Sequence, residues 1–430
     1  MRKLAFIPLL ALLATCTDDS AIMPVGPDGP LFAKPDKCSP WPTCHNGSDG
    51  DTEGDYTITD LGTSFDGKSS SSWARDLSGE VGGTVLAVGA SRSNTNAPSV
   101  ATLWTVTAEG VATATELVIT GSEADGVNEA NGINSAGTIA VGRAGSWENI
   151  TPVWWDAGQN WLGQELTPLG SGDGVARGVN NGGQIVGWSV SEFGVSFDYR
   201  ATLWDVFSTD QPEPQDLHRD GWRWSWADDI NGSGVVVGRV SIDNPLGLGS
   251  VTHAVLWNTG NELVPACDLH IWDLPPKEFG PGDVLRSHAH SVSESSNDGF
   301  VIVAGSKALY SGEGVAVVWQ VKLSECGQSN ALQAVELAHS ADAYGVNVVN
   351  GIVNGIVEVE VVGIDVSSGN DKPVVWKFGG FDGSPPVVEQ ILPSLKGGHG
   401  AANAISGDHI VGRTKAGQGN HAVLWTKKTQ

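Results

Sequence analysis

Ala176-Arg-Gly-Val-Asn-Asn-Gly-Gly-Gln-Ile-Val-Gly-Trp188, followed by Ala201-Thr-Leu-Trp204, decides the fold. It reads as a short apolar strand, an Asn/Gly turn, a second strand ending in Gly187, a loop, and a third strand ending in Trp204. Asn and Gly tolerate positive φ, which marks the turn. The same order recurs along the chain. Gly89, Gly142, Gly187, Gly238, Gly305, Gly363 and Gly412 interleave one to one with Trp104, Trp155, Trp204, Trp257, Trp319, Trp376 and Trp425, giving seven copies. A recurring period of this size marks a solenoid or a propeller.

The siblings sharpen the reading. Turn signals stand at Asn134-Ser-Ala-Gly137, Asn231-Gly-Ser-Gly234 and Ser296-Asn-Asp-Gly299, and β-rich runs follow them, such as Val235-Val-Val237 and Val301-Ile-Val303. Ala-x-Leu-Trp recurs from Ala101, Ala201, Ala254 and Ala422. Gly-(Ile/Val)-Asn-x-x-Gly-x-(Val/Ile)-Val-Gly, then Ala-x-Leu-Trp, resembles the bacterial extracellular HAF repeat family over nearly all of residues 55–428. His253-Ala254 and His421-Ala422 keep the first two letters of its signature. The resemblance implies a repeat protein at the cell surface and carries over no catalytic residue.

The pattern predicts an all-β, seven-bladed β-propeller of four-stranded blades over residues 56–430. Radial repetition buries both faces of each blade and leaves only short edges. Tyr56-Thr-Ile-Thr-Asp-Leu-Gly62 reads as a fourth strand without three before it, and Ala422-Val-Leu-Trp425 as a third strand without a fourth after it. The N-terminal strand is therefore expected to complete the last blade and close the ring; an open solenoid would want polar caps instead. The repeated Trp are expected to pack between blades. Long, variable loops, including those beginning at Ser91, Arg143, Ser189, Val240 and Arg413, are expected on one face, the usual layout of a recognition surface.

Ahead of the repeats, a basic Met1-Arg-Lys3 and an apolar Leu4–Ala14 form a secretory signal, residues 1–16. Leu13-Ala-Thr-Cys16 resembles a lipobox, so Cys16 is the expected lipidation site and the chain is placed at the cell envelope or outside the cell. Ordinary cleavage and full secretion is the alternative. Residues 17–55, rich in Pro, Gly and Asp, read as a flexible tether. In an oxidising compartment Cys38–Cys44 is an expected local disulfide and Cys267–Cys326 a second; four cysteines after Cys16 leave three pairings open.

Candidate sites are few. Asp49, Asp51, Glu53, Asp55 and Asp60, with Gly54, mimic the spacing of a calcium loop, though Asp60 replaces the usual bidentate Glu. Calcium is the one candidate cofactor. Trp222, Trp224 and Trp226 alternate, so an extended strand would aim them one way, as a sugar-stacking or partner-anchoring surface; Trp222 and Trp224 are the expected ligand-binding pair. His288-Ala-His290, with Asp268 and His270, offers a metal pair on a strand. No nucleophile elbow, phosphate-binding loop or zincin helix occurs.

The 49 acidic against 24 basic side chains, net −25, argue against nucleic acid, whose phosphates need a basic face. Membrane contact is expected only through a lipid anchor, and the chain is expected to be monomeric. The leading functional expectation is a surface-tethered or secreted, non-catalytic binding module for a glycan or protein. A propeller hydrolase or lyase acting on polysaccharide and an architectural envelope protein are the alternatives.

Overall fold

The computed structural model describes residues 55–428 apart from 66–69, 95, 120–125, 147–148, 171, 192–197, 209–212, 244–249, 260–266, 269–283, 310–312, 327–331, 350–357, 382–386 and 397, with backbone alone at 267–268, 284–285 and 309. The signal, Cys16, the Cys38–Cys44 pair, Asp49, Asp51, Glu53, His270 and most of the segment between the fourth and fifth copies lie outside the described residues. Among the described residues the fold is all-β, and no helix is long and apolar enough to cross a membrane.

Each copy forms an antiparallel meander, and the meanders are arranged as a β-propeller. Strand Gly174–Val179 pairs with Gln184–Ser191, which pairs with Asp198–Asp205, which pairs with the short Gln215–Asp216. The first strand of each copy touches the first strands before and after it, and Gly400–Ser406 returns to Ser71–Leu77, so the inner strands encircle an axis. The expected strand exchange is present. Tyr56–Gly62 pairs antiparallel with Gly419–Lys427, Tyr56 opposite Lys427 and Ile58 opposite Trp425, and so supplies the fourth strand of the last sheet. Tyr56 and Leu61 are thereby buried.

The expected count of seven separate four-stranded blades is corrected. Five sheets of four or five strands stand alone, and a sixth has eight strands. The larger sheet is two antiparallel meanders, 224–268 and 284–339, joined through one parallel pairing, Thr252 with Arg286. The second sheet gains its fifth strand from Val118–Ile119, which lies parallel to Leu162–Glu165.

The repeated glycine does not end its strand, which is a second correction. Gly187 lies in the middle of Gln184–Ser191, opposite Ala176. Ser91, Arg143, Ser189, Val240 and Arg413, expected to open loops, are likewise strand residues, because pairing with the third strand continues past the glycine. The glycine itself is required by a β-bulge on the facing inner strand. The register shifts between Ala176 and Gly178, leaving Arg177 as the extra residue and bringing the backbone close. A Cβ on Gly187 would lie 1.9 Å from the Val175 carbonyl oxygen, and the six sibling glycines meet their inner strands at 2.0–2.1 Å.

The turn asparagines also act otherwise than expected. Positive φ falls on Gly137, Gly183, Gly234 and Gly299, not on the Asn. Asn180 instead accepts from the backbone N–H of Gly182 and Gln184 through Oδ1, and its Nδ2 donates to the Asn231 carbonyl of the next copy at 2.9 Å. Asn231 repeats the step onto Ser293 at 2.8 Å. The seven repeated Trp are buried as expected. Four of them bond backward to the segment left by the preceding copy, for example Trp204 Nε1 to the Thr167 carbonyl at 2.7 Å and Trp425 Nε1 to that of Pro393 at 2.7 Å.

Candidate functional site: a polar ring at the axis

The bulge recurs in every inner strand. Its extra residue follows an alanine each time: Arg75, Asn131, Arg177, Asp228, His290, Tyr344 and Asn403. The alanines, Ala74 through Ala402, are all buried against the facing glycine. Apart from Arg286 with Thr252, the described inner strands pair on one side only, so the extra residue is turned toward the neighbouring inner strands around the axis.

Six of these seven side chains reach the next copy. Asn131 Nδ2 donates to the Ala176 carbonyl at 3.0 Å and Asn403 Nδ2 to the Ala74 carbonyl at 2.6 Å. Arg75 lies 3.9 Å from Glu129, which also pairs with Arg143 at 2.9 Å. Arg177 approaches Asp228 at 3.4 Å, Asp228 meets His288 Nε2 at 2.8 Å, and His290 meets Asp342 at 3.3 Å. Tyr344 packs edge-on against His290, ring centroids 5.3 Å apart.

His288 is the most constrained member. Its Nδ1 faces Arg239 at 3.1 Å and its Nε2 faces Asp228. A guanidinium only donates, so Nδ1 accepts and the proton sits on Nε2: the ring is neutral. Burial, helped by His290 and Arg239, pushes its pKa down to about 3. Burial acts to raise Asp228, but His288, Arg177 and Arg239 outweigh it and hold the carboxyl well below the usual range. One layer nearer the turns, Asp76 and Asp229 follow the bulge in their strands. Burial raises them to about 7 and about 6, although Asp76 accepts from the Ile133 N–H and Asp229 from the Val292 N–H, each on the next copy.

Aromatic side chains line the other end of the inner strands. Trp188, Tyr199, Trp226 and Trp224 make successive ring contacts at 5.2, 5.7 and 6.3 Å. Arg239 lies over Trp226 and Arg223 over Trp224. The expected ligand pair divides here. The strand begins at Trp224, so alternation does not extend back to Trp222, which packs edge-on against Trp257 and His218 in the core beside Leu217.

The described members of the calcium-like loop face basic partners: Asp55 contacts Lys377 at 3.3 Å, and Asp60 contacts His421 at 2.9 Å. Among the described residues no three His, Cys, Asp or Glu side chains gather as a metal site. Cys326 is disulfide-bonded; the side chain of Cys267, its expected partner, is outside the described set.

Of the axial residues, the two histidines stand out in the sequence as a candidate metal pair, and Asp228-Asp229 is a carboxylate pair too common to signal a site alone. The signal was present as a column. Ala-Arg-Asp, Ala-Asn-Gly, Ala-Arg-Gly, Ala-Asp-Asp, Ala-His-Ser, Ala-Tyr-Gly and Ala-Asn-Ala stand one after each first strand's constant alanine, with a different chemistry beside it.

No family model matches the sequence, and no curated protein is similar to it. Similar solved structures include TolB from Acinetobacter baumannii (10% identity, TM-score 0.42, 75% of this chain and 66% of that one). A Trypanosoma rangeli sialidase in complex with sialic acid is 11% identical (TM-score 0.41, 86% and 58%). The β-propeller domain of the trilobed protease from Pyrococcus furiosus is 10% identical (TM-score 0.41, 83% and 93%). The chain thus spans less than two thirds of the TolB and sialidase chains.

Proposed function

We propose that this protein is a non-catalytic binding module held at the cell surface or secreted, with its ligand at the axial ring. One observation carries the reading. Seven structurally equivalent bulge positions hold five different residue types, while the alanine before each and the glycine facing it are constant. Scaffold positions agree and axial positions differ, as recognition requires. Binding is favoured over acid–base chemistry because Glu129, Asp228 and Asp342 are each engaged by a guanidinium or imidazole.

The eight-stranded sheet counts, in this proposal, as two blades, which makes the ring seven-bladed. Cys16 carries the lipid, residues 17–55 span from membrane to propeller, and Cys38–Cys44 and Cys267–Cys326 are the disulfides. A polysaccharide hydrolase or lyase is the second reading, favoured by the contact of His290 with both Asp342 and Tyr344. A glycan panel run beside a hydrolysis screen tests the choice. Retention of a glycan without turnover is the expected result; turnover abolished by Tyr344→Phe or Asp342→Asn would replace the binding reading with the catalytic one.

A further inference from the structure

Asp342 differs from the other carboxylates of the ring. Glu129 pairs with Arg143 and Asp228 with Arg177, but among the described residues Asp342 has no guanidinium or ammonium partner. It is 3% exposed, on the inner strand Ala341–Val348 of the sixth copy. Burial acts to raise its pKa, yet His290, Ser306 and His288 outweigh burial and hold it below the usual range, so the group is a buried carboxylate. A buried charge is stable when it is paired or coordinates a metal.

Three unsatisfied atoms gather beside it. Asp342 Oδ1 and His290 Nε2 stand 3.3 Å apart without the alignment of a hydrogen bond, and each is buried with no other partner. Ser306 Oγ is buried and unsatisfied too. Ser306 lies directly opposite His288 in the facing strand, hence on the same side of the sheet, and the His288 and His290 rings are 3.8 Å apart. Buried polar atoms left unsatisfied together call for a small polar occupant. The separation points to a metal ion. Nitrogen and oxygen ligands about 2.0–2.2 Å from zinc, at a tetrahedral angle, lie about 3.4 Å apart. His288 cannot join them, because Arg239 and Asp228 take both its nitrogens. The partner of His290 therefore comes from the next copy and not from its own strand.

We infer that a zinc-type divalent ion binds between the fifth and sixth copies, with His290 Nε2 and Asp342 Oδ1 as ligands, the Ser306 hydroxyl beside them and water completing the shell. The His290 side chain keeps 17% exposure, which opens the site toward the axis. The ion ties two inner strands together whatever the ring holds.

Calorimetric titration of zinc chloride into the full mature chain, first stripped with EDTA, is expected to show a site that Asp342→Asn and His290→Gln each weaken about tenfold or more. Wild-type crystals soaked in zinc give a second measurement. Anomalous difference density at the zinc edge is expected within bonding distance of both side chains, and that map decides the matter even if neither variant folds. Absence of binding heat, unchanged zinc affinity in the folded variants, or a map with water alone between His290 and Asp342 overturns the inference. None of these results bears on the glycan reading, which the glycan panel tests without added metal.

Discussion

Gly187 shows how one atom decides a position. The bulge at Arg177 places the Val175 carbonyl 1.9 Å from where a Cβ would lie, and backbone cannot step aside as a flexible side chain can. Gly187→Ala is therefore expected to cost about 3 kcal/mol or more, seen as a lower unfolding midpoint in urea. His288 illustrates the opposite kind of constraint, set by protons. Folded, it stays neutral down to about pH 3; unfolded, it takes a proton near its ordinary pKa. Acidification below about 6.5 therefore favours the unfolded chain at this residue. Asp76 and Asp229 work in the other direction between about 4 and 7, because their folded forms hold the proton more tightly. Comparison with a variant isolates the imidazole. His288→Asn is expected to lose about 2 kcal/mol at pH 7, by leaving Asp228 and Arg239 short of a partner. That gap should narrow as the pH falls from 7 to 4; a melting-temperature difference independent of pH would contradict it. The axial chemistry was hidden in the sequence because Arg177 or Asp228 alone is an ordinary strand residue. Only the bulge turns it to the axis, and a bulge leaves no residue type of its own.

At the scale of strands and turns, much was legible. The alternation of Gly and Trp located every second and third strand, because both residues answer to close packing: the glycine to the bulge, the indole to the gap between copies. Trp204 fills that gap and ties it to Thr167. Trp204→Phe is expected to cost about 1 kcal/mol for the lost hydrogen bond plus the loss of packing volume, and Trp204→Ala about 4 kcal/mol, both measurable by chemical denaturation. Strand ends were less legible. Strand two runs on past its glycine because pairing with strand three continues, as Trp188 with Ala201 and Ser189 with Arg200 show. Nothing in Arg143 or Arg413 distinguishes a strand residue from the first residue of a loop.

For the whole molecule, the closure was readable because the count of strands was uneven at both ends of the repeats. A segment with fourth-strand character came first and a third strand came last, and the structure pairs them. Removing residues through Gly62 is expected to bare the edge of Gly419–Lys427 and uncover the core beside Tyr56 and Trp425, so the truncated chain should melt earlier and aggregate, as light scattering on heating would show. The joining of two copies into one eight-stranded sheet was not legible. It turns on a single backbone pairing, Thr252 with Arg286, which no side-chain pattern announces.

The central claim is that the bulge positions serve scaffold and ligand separately, and siblings within the chain supply the test. Asn131 and Asn403 show that asparagine satisfies the scaffold there, by bonding the next copy's alanine carbonyl. Arg75→Asn, Arg177→Asn and Asp228→Asn combined should keep the melting temperature within about 5 °C of the wild type. Calorimetric affinity for the glycan retained in the panel should fall at least tenfold in the same protein. Unchanged affinity, or a chain that no longer folds, would contradict the account.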